Sequence, residues 1–427
     1  MRWLLLLVLT LGLAACGEEE KAEQESPAPA PAPTAAPAPT PQPAPAPQVA
    51  SAPDCRCEEQ AAAPALELTP ASFAALPGWA DDDLAQALPA LLASCRALLA
   101  EPAEAPVGPR ALAGTAADWR APCQGLAGIA ADSTVLRPFL ESWFRPFLAS
   151  DRGQAVGLFT GYYEPEVAGS LTRAGDYLWP LYAPPADLLR VRLGRFRADL
   201  EGESLYGRLE GKELVPYHDR ATIDEAHVLA GQGLELLWLR DYVELFFLQV
   251  QGSGIVAFPD GSRRRVGFAA ANGLPFTAIG RLLKESGKLA PGEATAQGVM
   301  AWLRGHPAEA WEMMKQNRRY IFFRMLEGEG PLGAQGVALT PGRSLAVDPA
   351  LLPLGAPFWL DTTMPGGGQP LRRLVVAQDS GAAIKGAVRG DLFWGAGEPA
   401  LAEAGRMQQK GRYWLLLPAA VAERRQD

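Results

Sequence analysis

Short apolar segments broken by glycine and proline fill the chain from about residue 150 onward, and they restrict the possible folds more than any other feature. Residues 156–163, 178–182 and 244–250 are rich in β-branched or aromatic side chains, which favour strands. The turn signal Asp260-Gly261 separates two further segments of this kind and predicts a hairpin. This pattern of short strands separated by turns indicates a β-barrel or packed sheets with helices added to them.

Helical spacing of apolar residues appears on both sides of the strand-rich region. Residues 66–149 and 276–325 show it, and the three aspartates at 81–83 are suited to cap the first helix. Because both flanks carry helices, the strands between them look inserted. The sequence therefore predicts a mainly β protein with helical decoration. A larger domain is built from residues 61–166 and 272–420, and a smaller β-domain is inserted at 167–271.

The first residues predict export. Arg2 precedes an apolar run at 4–15 that is too short to span a bilayer, so residues 1–15 are expected to be a signal peptide. The run ends Leu-Ala-Ala-Cys, which resembles a bacterial lipobox and implies lipidation of Cys16; an ordinary signal-peptidase site is the alternative. Gly17 is not the aspartate associated with retention in the inner membrane. The resemblance therefore implies an outer-membrane lipoprotein facing the periplasm of a Gram-negative bacterium.

Residues 16–60 contain a proline-alanine alternation without aromatic residues. Proline fixes φ and removes amide donors, so this segment is expected to be an extended spacer between the lipid and the folded domain, or else a passive linker. Cys95 and Cys123 are expected to pair in an oxidising periplasm. Cys55 and Cys57 suggest no function.

Composition excludes two classes of function. Asp and Glu (48) outnumber Lys and Arg (39), which argues against a nucleic-acid partner. The three histidines, His218, His227 and His306, contain no His-x-x-x-His pair, which argues against a zinc hydrolase. No metal and no cofactor are expected.

The most informative acidic residue is Asp379. It follows the apolar strand 374–377 and precedes glycine-rich turns that include Gly381. A carboxyl group with a pKa of about 3.9 is protonated in only about one molecule per thousand at neutral pH. Burial and the nearby Asp391 would raise the pKa of Asp379 and suit it to act as an acid, provided that Lys385 points elsewhere. The alternative is that Asp379 only caps a turn.

Five segments together carry a family resemblance. Residues 347–355 and 374–395 resemble the double-psi barrel module named for three aspartates, here Asp348, Asp379 and Asp391. Combined with residues 159–165, 243–254 and 265–273, they resemble the membrane-bound lytic murein transglycosylase A family. Ala382 departs from the glycine expected in that module.

The resemblance implies a double-psi β-barrel domain, a smaller inserted barrel-like domain and a glycan groove between them. Asp379 is then the catalytic residue, and Asp391, Asp348, Gly381 and Lys385 support or orient it. Gln249 and Gln251 are interpreted as sharing one face of a strand, and adjacent tyrosines can form a platform for sugars. Each of these groups has a structural alternative, either a solvated face or the core. The candidate glycan-binding residues are Thr160, Gly161, Tyr162, Tyr163, Glu164, Gln249, Gln251, Gly252 and Ser253.

The expected reaction is cleavage of peptidoglycan between N-acetylmuramic acid and N-acetylglucosamine, with formation of a 1,6-anhydro ring. One acid suffices, because the C6 hydroxyl of the sugar replaces water as the nucleophile. Two alternatives remain open: a hydrolase that uses both Asp379 and Asp391, and a lipoprotein that binds glycan without cleaving it. The expected partners are peptidoglycan strands, the outer membrane and other wall-remodelling proteins.

Overall fold

The computed structural model describes residues 65–290, 292–328 and 330–425. Within these ranges the chain forms seventeen strands and ten α-helices, joined by loops and short 3-10 turns. In chain order, the strands are β1 (Leu66–Pro70), β2 (Phe144–Asp151), β3 (Gly157–Glu164), β4 (Glu166–Ser170), β5 (Trp179–Tyr182), β6 (Leu189–Arg192), β7 (Ser204–Glu210), β8 (Glu213–Pro216), β9 (Glu235–Leu239), β10 (Ser253–Ala257), β11 (Arg263–Ala271), β12 (Ile321–Leu326), β13 (Ser344–Ala346), β14 (Pro357–Thr363), β15 (Pro370–Asp379), β16 (Arg389–Ala396) and β17 (Gln408–Pro418). The helices are α1 (Leu88–Ala100), α2 (Ala116–Leu126), α3 (Ser133–Trp143), α4 (Arg220–Asp224), α5 (Tyr242–Gln251), α6 (Ile279–Glu285), α7 (Ala296–Gly305), α8 (Pro307–Lys315), α9 (Gly397–Ala404) and α10 (Ala419–Arg424).

Six strands close into a barrel. Their order is β17-β14-β15-β13-β16-β3, and β17 also pairs with β3, which completes the ring. β1 and β2 extend the sheet beside β17. β15 is hydrogen-bonded on both sides, and Val375, Val376 and Ala377 within it are fully buried. The strand that leads to Asp379 is therefore held inside the barrel wall.

A second sheet lies in the segment between β3 and β13. Its strand order is β12-β11-β10-β4-β9-β5, and a separate three-stranded sheet contains β6, β7 and β8. The predicted hairpin is present: β10 and β11 pair antiparallel, and Gly261 in the turn has a φ of 82°, which glycine adopts without strain. The chain thus contains a closed barrel and a second part built on sheets, both with added helices. This confirms the predicted fold class, a mainly β protein with helical decoration.

The predicted end of the insert at residue 271 is wrong. β12 pairs with β11 through residues 321–326, and α6, α7 and α8 contribute buried residues to the core of the second sheet, among them Leu283, Leu303 and Met314. The insert therefore extends to Leu326. A helical period identifies an amphipathic helix but not the apolar surface on which that helix packs. The sequence therefore predicts residues 276–325 to be part of the larger domain, whereas they pack on the sheet of the insert.

The predicted strand at 244–250 is a helix, α5. Its N-terminus is capped by Asp241, whose Oδ1 accepts hydrogen bonds from the backbone N–H groups of Val243 and Glu244. Gly252, with a φ of 82°, ends it. The helix is apolar on nearly all sides because it is buried, which hides the period of 3.6, whereas the two end signals were visible in the sequence.

The structure contains the predicted disulfide between Cys95 and Cys123, which joins α1 to α2. The expected signal peptide at 1–15, the lipidated Cys16, the spacer up to residue 60, and Cys55 and Cys57 lie outside the described residues. None of the helices in the described ranges has the length and apolar content needed to cross a bilayer.

Candidate active site

Asp379 is the last residue of β15, at one end of the barrel. Its Oδ1 accepts hydrogen bonds from the backbone N–H groups of Ser380 (2.8 Å) and Ala334 (2.9 Å). Its Oδ2 accepts one from the Tyr162 hydroxyl group (2.8 Å). Burial raises the pKa of Asp379, and the three hydrogen bonds oppose this shift without cancelling it. The carboxyl group therefore holds a proton more readily than an aspartate in water.

Asp391 is a second half-buried carboxyl group beside the first. Ala346 on β13 is paired with Asp379 on one side and with Asp391 on the other, so the two aspartates lie at the same level of the barrel. Thr160 Oγ1 donates a hydrogen bond to Asp391 (2.6 Å), and Arg389 donates one to Thr160 (2.8 Å). Burial raises the pKa of Asp391 to about 6, although Arg389 and Thr160 act in the opposite direction.

Asp348 supports the loop that follows Asp379. It is buried and accepts hydrogen bonds from Lys385 Nζ (3.3 Å) and the backbone N–H of Gly386 (3.0 Å). Lys385 is thus paired with Asp348, as expected from the requirement that it point away from Asp379. Gly381 leaves room for Ile384, since a Cβ at Gly381 would lie 2.8 Å from that side chain. Neither Asp348 nor Lys385 lines the cleft described next.

A cleft of about 960 Å³ lies between the barrel and the insert, and both aspartates line it. Seven of the nine predicted glycan-binding residues also line it: Thr160, Gly161, Tyr162, Gln249, Gln251, Gly252 and Ser253. Residues far apart in sequence thus meet at one surface. Among the described residues, no group of three or more His, Cys, Asp or Glu side chains is arranged to hold a metal ion.

The other two predicted glycan-binding residues, Tyr163 and Glu164, do not line the cleft. Tyr163 is buried and packs against Leu401 and its neighbours on α9. Glu164 is 1% exposed and accepts two hydrogen bonds from Arg265, at 2.7 and 3.1 Å. Alternation along β3 directs Tyr162 to the cleft and Tyr163 away from it. Glu164 is instead occupied by its ion pair with Arg265. Both residues have structural roles.

Gln249 and Gln251 line the cleft from the last turn of a helix, not from one face of a strand as predicted. Gln251 Oε1 accepts a hydrogen bond from the backbone N–H of Tyr163 (3.2 Å). Gln249 is 3% exposed, and neither its Nε2 nor its Oε1 has a hydrogen-bond partner among the described residues. A buried unpaired carboxamide costs free energy unless a ligand or water satisfies it. Gln249 is therefore a strong candidate to bind substrate.

Sequence reasoning missed several residues of the cleft. Phe268 is 49% exposed there, and its segment was among the quoted motifs, so it was within reach of the sequence argument. The other missed residues had no recognisable signal: Arg190, Arg220, Phe276, Arg319, Arg324 and Leu332.

Comparison with known proteins identifies the family. The pattern of the MltA specific insert domain matches residues 158–324, and that of the 3D domain matches residues 343–417. Membrane-bound lytic murein transglycosylase A of Vibrio cholerae is 32% identical over 298 residues, which cover 68% of this chain and 78% of the relative. The chain belongs to the membrane-bound lytic murein transglycosylase A family. The match to the relative of the same name in Escherichia coli strain K12 is 30% identical and covers 62% of this chain but only 66% of that protein, just under two thirds.

Solved structures of this family share the fold. The crystal structure of membrane-bound lytic murein transglycosylase from Agrobacterium tumefaciens is 35% identical, has a TM-score of 0.75 and covers 84% of this chain and 99% of its own. The structure of Escherichia coli MltA with bound chitohexaose is 25% identical, has a TM-score of 0.58 and covers 83% of this chain and 92% of its own. The match of the insert pattern up to residue 324 agrees with the boundary drawn from β12.

Proposed function

We propose that this protein is a lytic transglycosylase that cleaves the β-1,4 bond between N-acetylmuramic acid and N-acetylglucosamine in peptidoglycan. The observation that carries the proposal is Asp379, a half-buried carboxyl group of raised pKa in the wall of a glycan-sized cleft. Membership of the family supports the reaction class. The chitohexaose bound to the Escherichia coli relative supports an oligosaccharide as the ligand.

The proposed reaction uses one carboxyl group twice. Asp379 donates its proton to the bridging oxygen, which leaves with N-acetylglucosamine as the bond from C1 of muramic acid breaks. The resulting carboxylate then takes the proton of the C6 hydroxyl group while O6 bonds to C1 of the same sugar. No water is consumed, and the product ends in 1,6-anhydromuramic acid. The nucleophile is part of the same sugar, so no second molecule has to lose translational and rotational entropy on binding.

The surroundings of the two aspartates support Asp379 rather than Asp391 as the acid. The guanidinium group of Arg389 stabilises the ionised form of Asp391, whereas no cation contributes to the pKa of Asp379. Repulsion from Asp379 is one cause of the raised pKa of Asp391, so the two carboxyl groups lose their protons as a coupled pair. In the proposed reaction Asp391 tunes the proton affinity of this pair, and Asp379 transfers the protons.

A second candidate function is hydrolysis with Asp391 as the base, which the position and raised pKa of Asp391 favour. Digestion of purified sacculi in water enriched in oxygen-18 separates the two reactions. A transglycosylase yields anhydro ends without the heavy isotope, detected by mass spectrometry of the released fragments. Reducing ends that carry one atom of oxygen-18 would establish hydrolysis instead, and undigested sacculi would leave only a binding function.

Replacement of Asp391 by asparagine is expected to change the pH profile rather than to stop the reaction. Asparagine can still accept the hydrogen bond from Thr160 but carries no charge, so the repulsion within the pair is removed and the last proton of the site is lost at lower pH. A reaction that needs a protonated acid slows as pH rises through the pKa of that acid, so the alkaline limb of kcat/KM moves to lower pH. The measurement is kcat/KM on soluble glycan strands from pH 4 to 8. A loss of more than about a hundredfold at every pH would instead identify Asp391 as an essential base.

We further propose that lipid on Cys16 anchors the protein to the outer membrane, facing the periplasm. The lipobox-like end of the predicted signal peptide supports this, as does the name of the relatives, which describes them as membrane-bound. Fractionation tests it, because Cys16→Ala should move the exported protein from the outer-membrane fraction to the soluble periplasm. An unchanged membrane fraction would contradict it. Association with other wall-remodelling proteins stays a prediction.

A further inference from the structure

The insert side of the cleft carries arginines without acidic partners. Arg190, Arg319 and Arg324 all line the cleft. Arg190 donates a hydrogen bond to Ser204 Oγ and Arg319 donates one to the carbonyl of Leu274, but in the described part of the chain none of the three forms a salt bridge. The whole chain has a net charge of −9, so three arginines without acidic partners along one wall are not expected from its overall composition.

Arg324 is the most available of the three. It lies on β12 opposite Gly267 on β11, so no side chain at that neighbouring position covers it. Its side chain is exposed and makes no hydrogen bond or ion pair with any described residue. By contrast, Arg220 in the same wall is 1% exposed and donates to two backbone carbonyls, so it is already engaged. Arg324 is free to bind a ligand.

The cationic surface continues beyond the cleft into a hollow of about 530 Å³, since Leu326 lines both. Arg263 and Arg265 in the hollow are neutralised by Glu166 and Glu164. Arg264 lies over the ring of Phe258 and forms no salt bridge with a described residue, although Asp260 interacts with it electrostatically. Among the described residues of the hollow, Arg264 is therefore the one arginine without a salt bridge, and Glu327 lies in the same lining.

A chain of N-acetylated sugars is uncharged and gives no reason for these arginines. Muramic acid differs from N-acetylglucosamine by a lactyl branch that ends in a carboxylate or is extended by a short acidic peptide. A guanidinium group binds a carboxylate through two parallel hydrogen bonds. We propose that Arg324, with Arg319 and Arg190, binds the carboxylates of this branch. The inference rests on the proposed function and adds the feature by which the cleft would distinguish a peptidoglycan strand from an uncharged glycan.

The test measures binding in the Asp379→Asn background, so that no ligand is consumed. Three ligands are compared: chitohexaose without carboxylates, glycan strands stripped to the lactyl group, and strands with peptides. Arg324→Gln is expected to weaken binding of a carboxylate-bearing strand roughly tenfold at low salt and to change chitohexaose binding less than about twofold. Arg324→Lys should restore part of the loss, because it keeps the charge but not the paired hydrogen bonds.

The control is Arg281→Gln, an exposed arginine on α6 that pairs with Glu285 outside the cleft lining. It should bind all three ligands like the parent. Loss confined to strands with peptides identifies the peptide carboxylates, loss confined to stripped strands identifies the free lactyl carboxylate, and loss with both strands means that either carboxylate is bound. Equal loss with chitohexaose, or no loss with any ligand, overturns the inference. Anhydro ends from the wild-type enzyme are measured separately, so failure of the proposed reaction is recognised independently.

Discussion

Asp379→Asn is expected to lower the release of anhydro ends by about 10³- to 10⁴-fold while leaving glycan binding nearly unchanged. General acid–base catalysis contributes about 10²- to 10⁴-fold, and in the proposed reaction a single group performs both proton transfers, which favours the upper part of that range. Asparagine has the same shape and keeps an oxygen that can accept the two backbone hydrogen bonds now made to Asp379 Oδ1. It has no proton to give at the pH of the reaction.

Stability measurements show whether such a loss comes from catalysis. Because burial raises the pKa of Asp379, the ionised carboxylate destabilises the folded protein at neutral pH, and a neutral amide removes that cost. The variant should therefore unfold at the same temperature as the wild type or slightly higher at pH 7. Chitohexaose binding, measured by calorimetry, should be retained. Release of anhydro ends at near the wild-type rate would remove Asp379 from its proposed role.

The position of Asp379 was predictable because it depends on local information. A run of apolar residues predicts a buried strand, and an acid at its end must then lie at the edge of the barrel. Neighbouring glycines predict the tight turn that follows. The hairpin of β10 and β11 was predictable for the same reason, since Asp260-Gly261 determines the turn without reference to the rest of the chain.

Contacts between distant residues were not predictable in this way. The partner of Glu164 is Arg265, 101 residues away, so nothing near Glu164 distinguishes a buried ion pair from a residue that binds glycan. Arg324 enters the cleft only because β12 joins the second sheet. The helix at 242–251 was missed for a different reason: its apolar residues cover nearly every side, so the amphipathic period that identifies a helix is absent.

Asp82→Ala is expected to lower the free energy of unfolding by about 3–5 kcal/mol, the cost of removing one partner from a buried ion pair. Asp82 receives two hydrogen bonds from Arg343, at 2.8 and 2.9 Å, and the two side chains are only 6% and 4% exposed. Asp82 Oδ2 also accepts a hydrogen bond from the backbone N–H of Leu374 on β15 (2.9 Å). Through these hydrogen bonds, Asp82 connects the segment before α1 to β15, the strand that carries Asp379.

Urea unfolding distinguishes this role from the one that the sequence suggested. If Asp82 only capped a helix, as the run of three aspartates indicated, the alanine variant would lose about 1 kcal/mol. Asp81→Ala is the matched control, since Asp81 is the adjacent exposed member of the run and its removal should change the free energy of unfolding by less than about 0.5 kcal/mol. A loss of about 1 kcal/mol for Asp82→Ala would contradict the buried pair. The larger loss would mean that residues outside the barrel hold β15, and with it the proposed catalytic acid, in place.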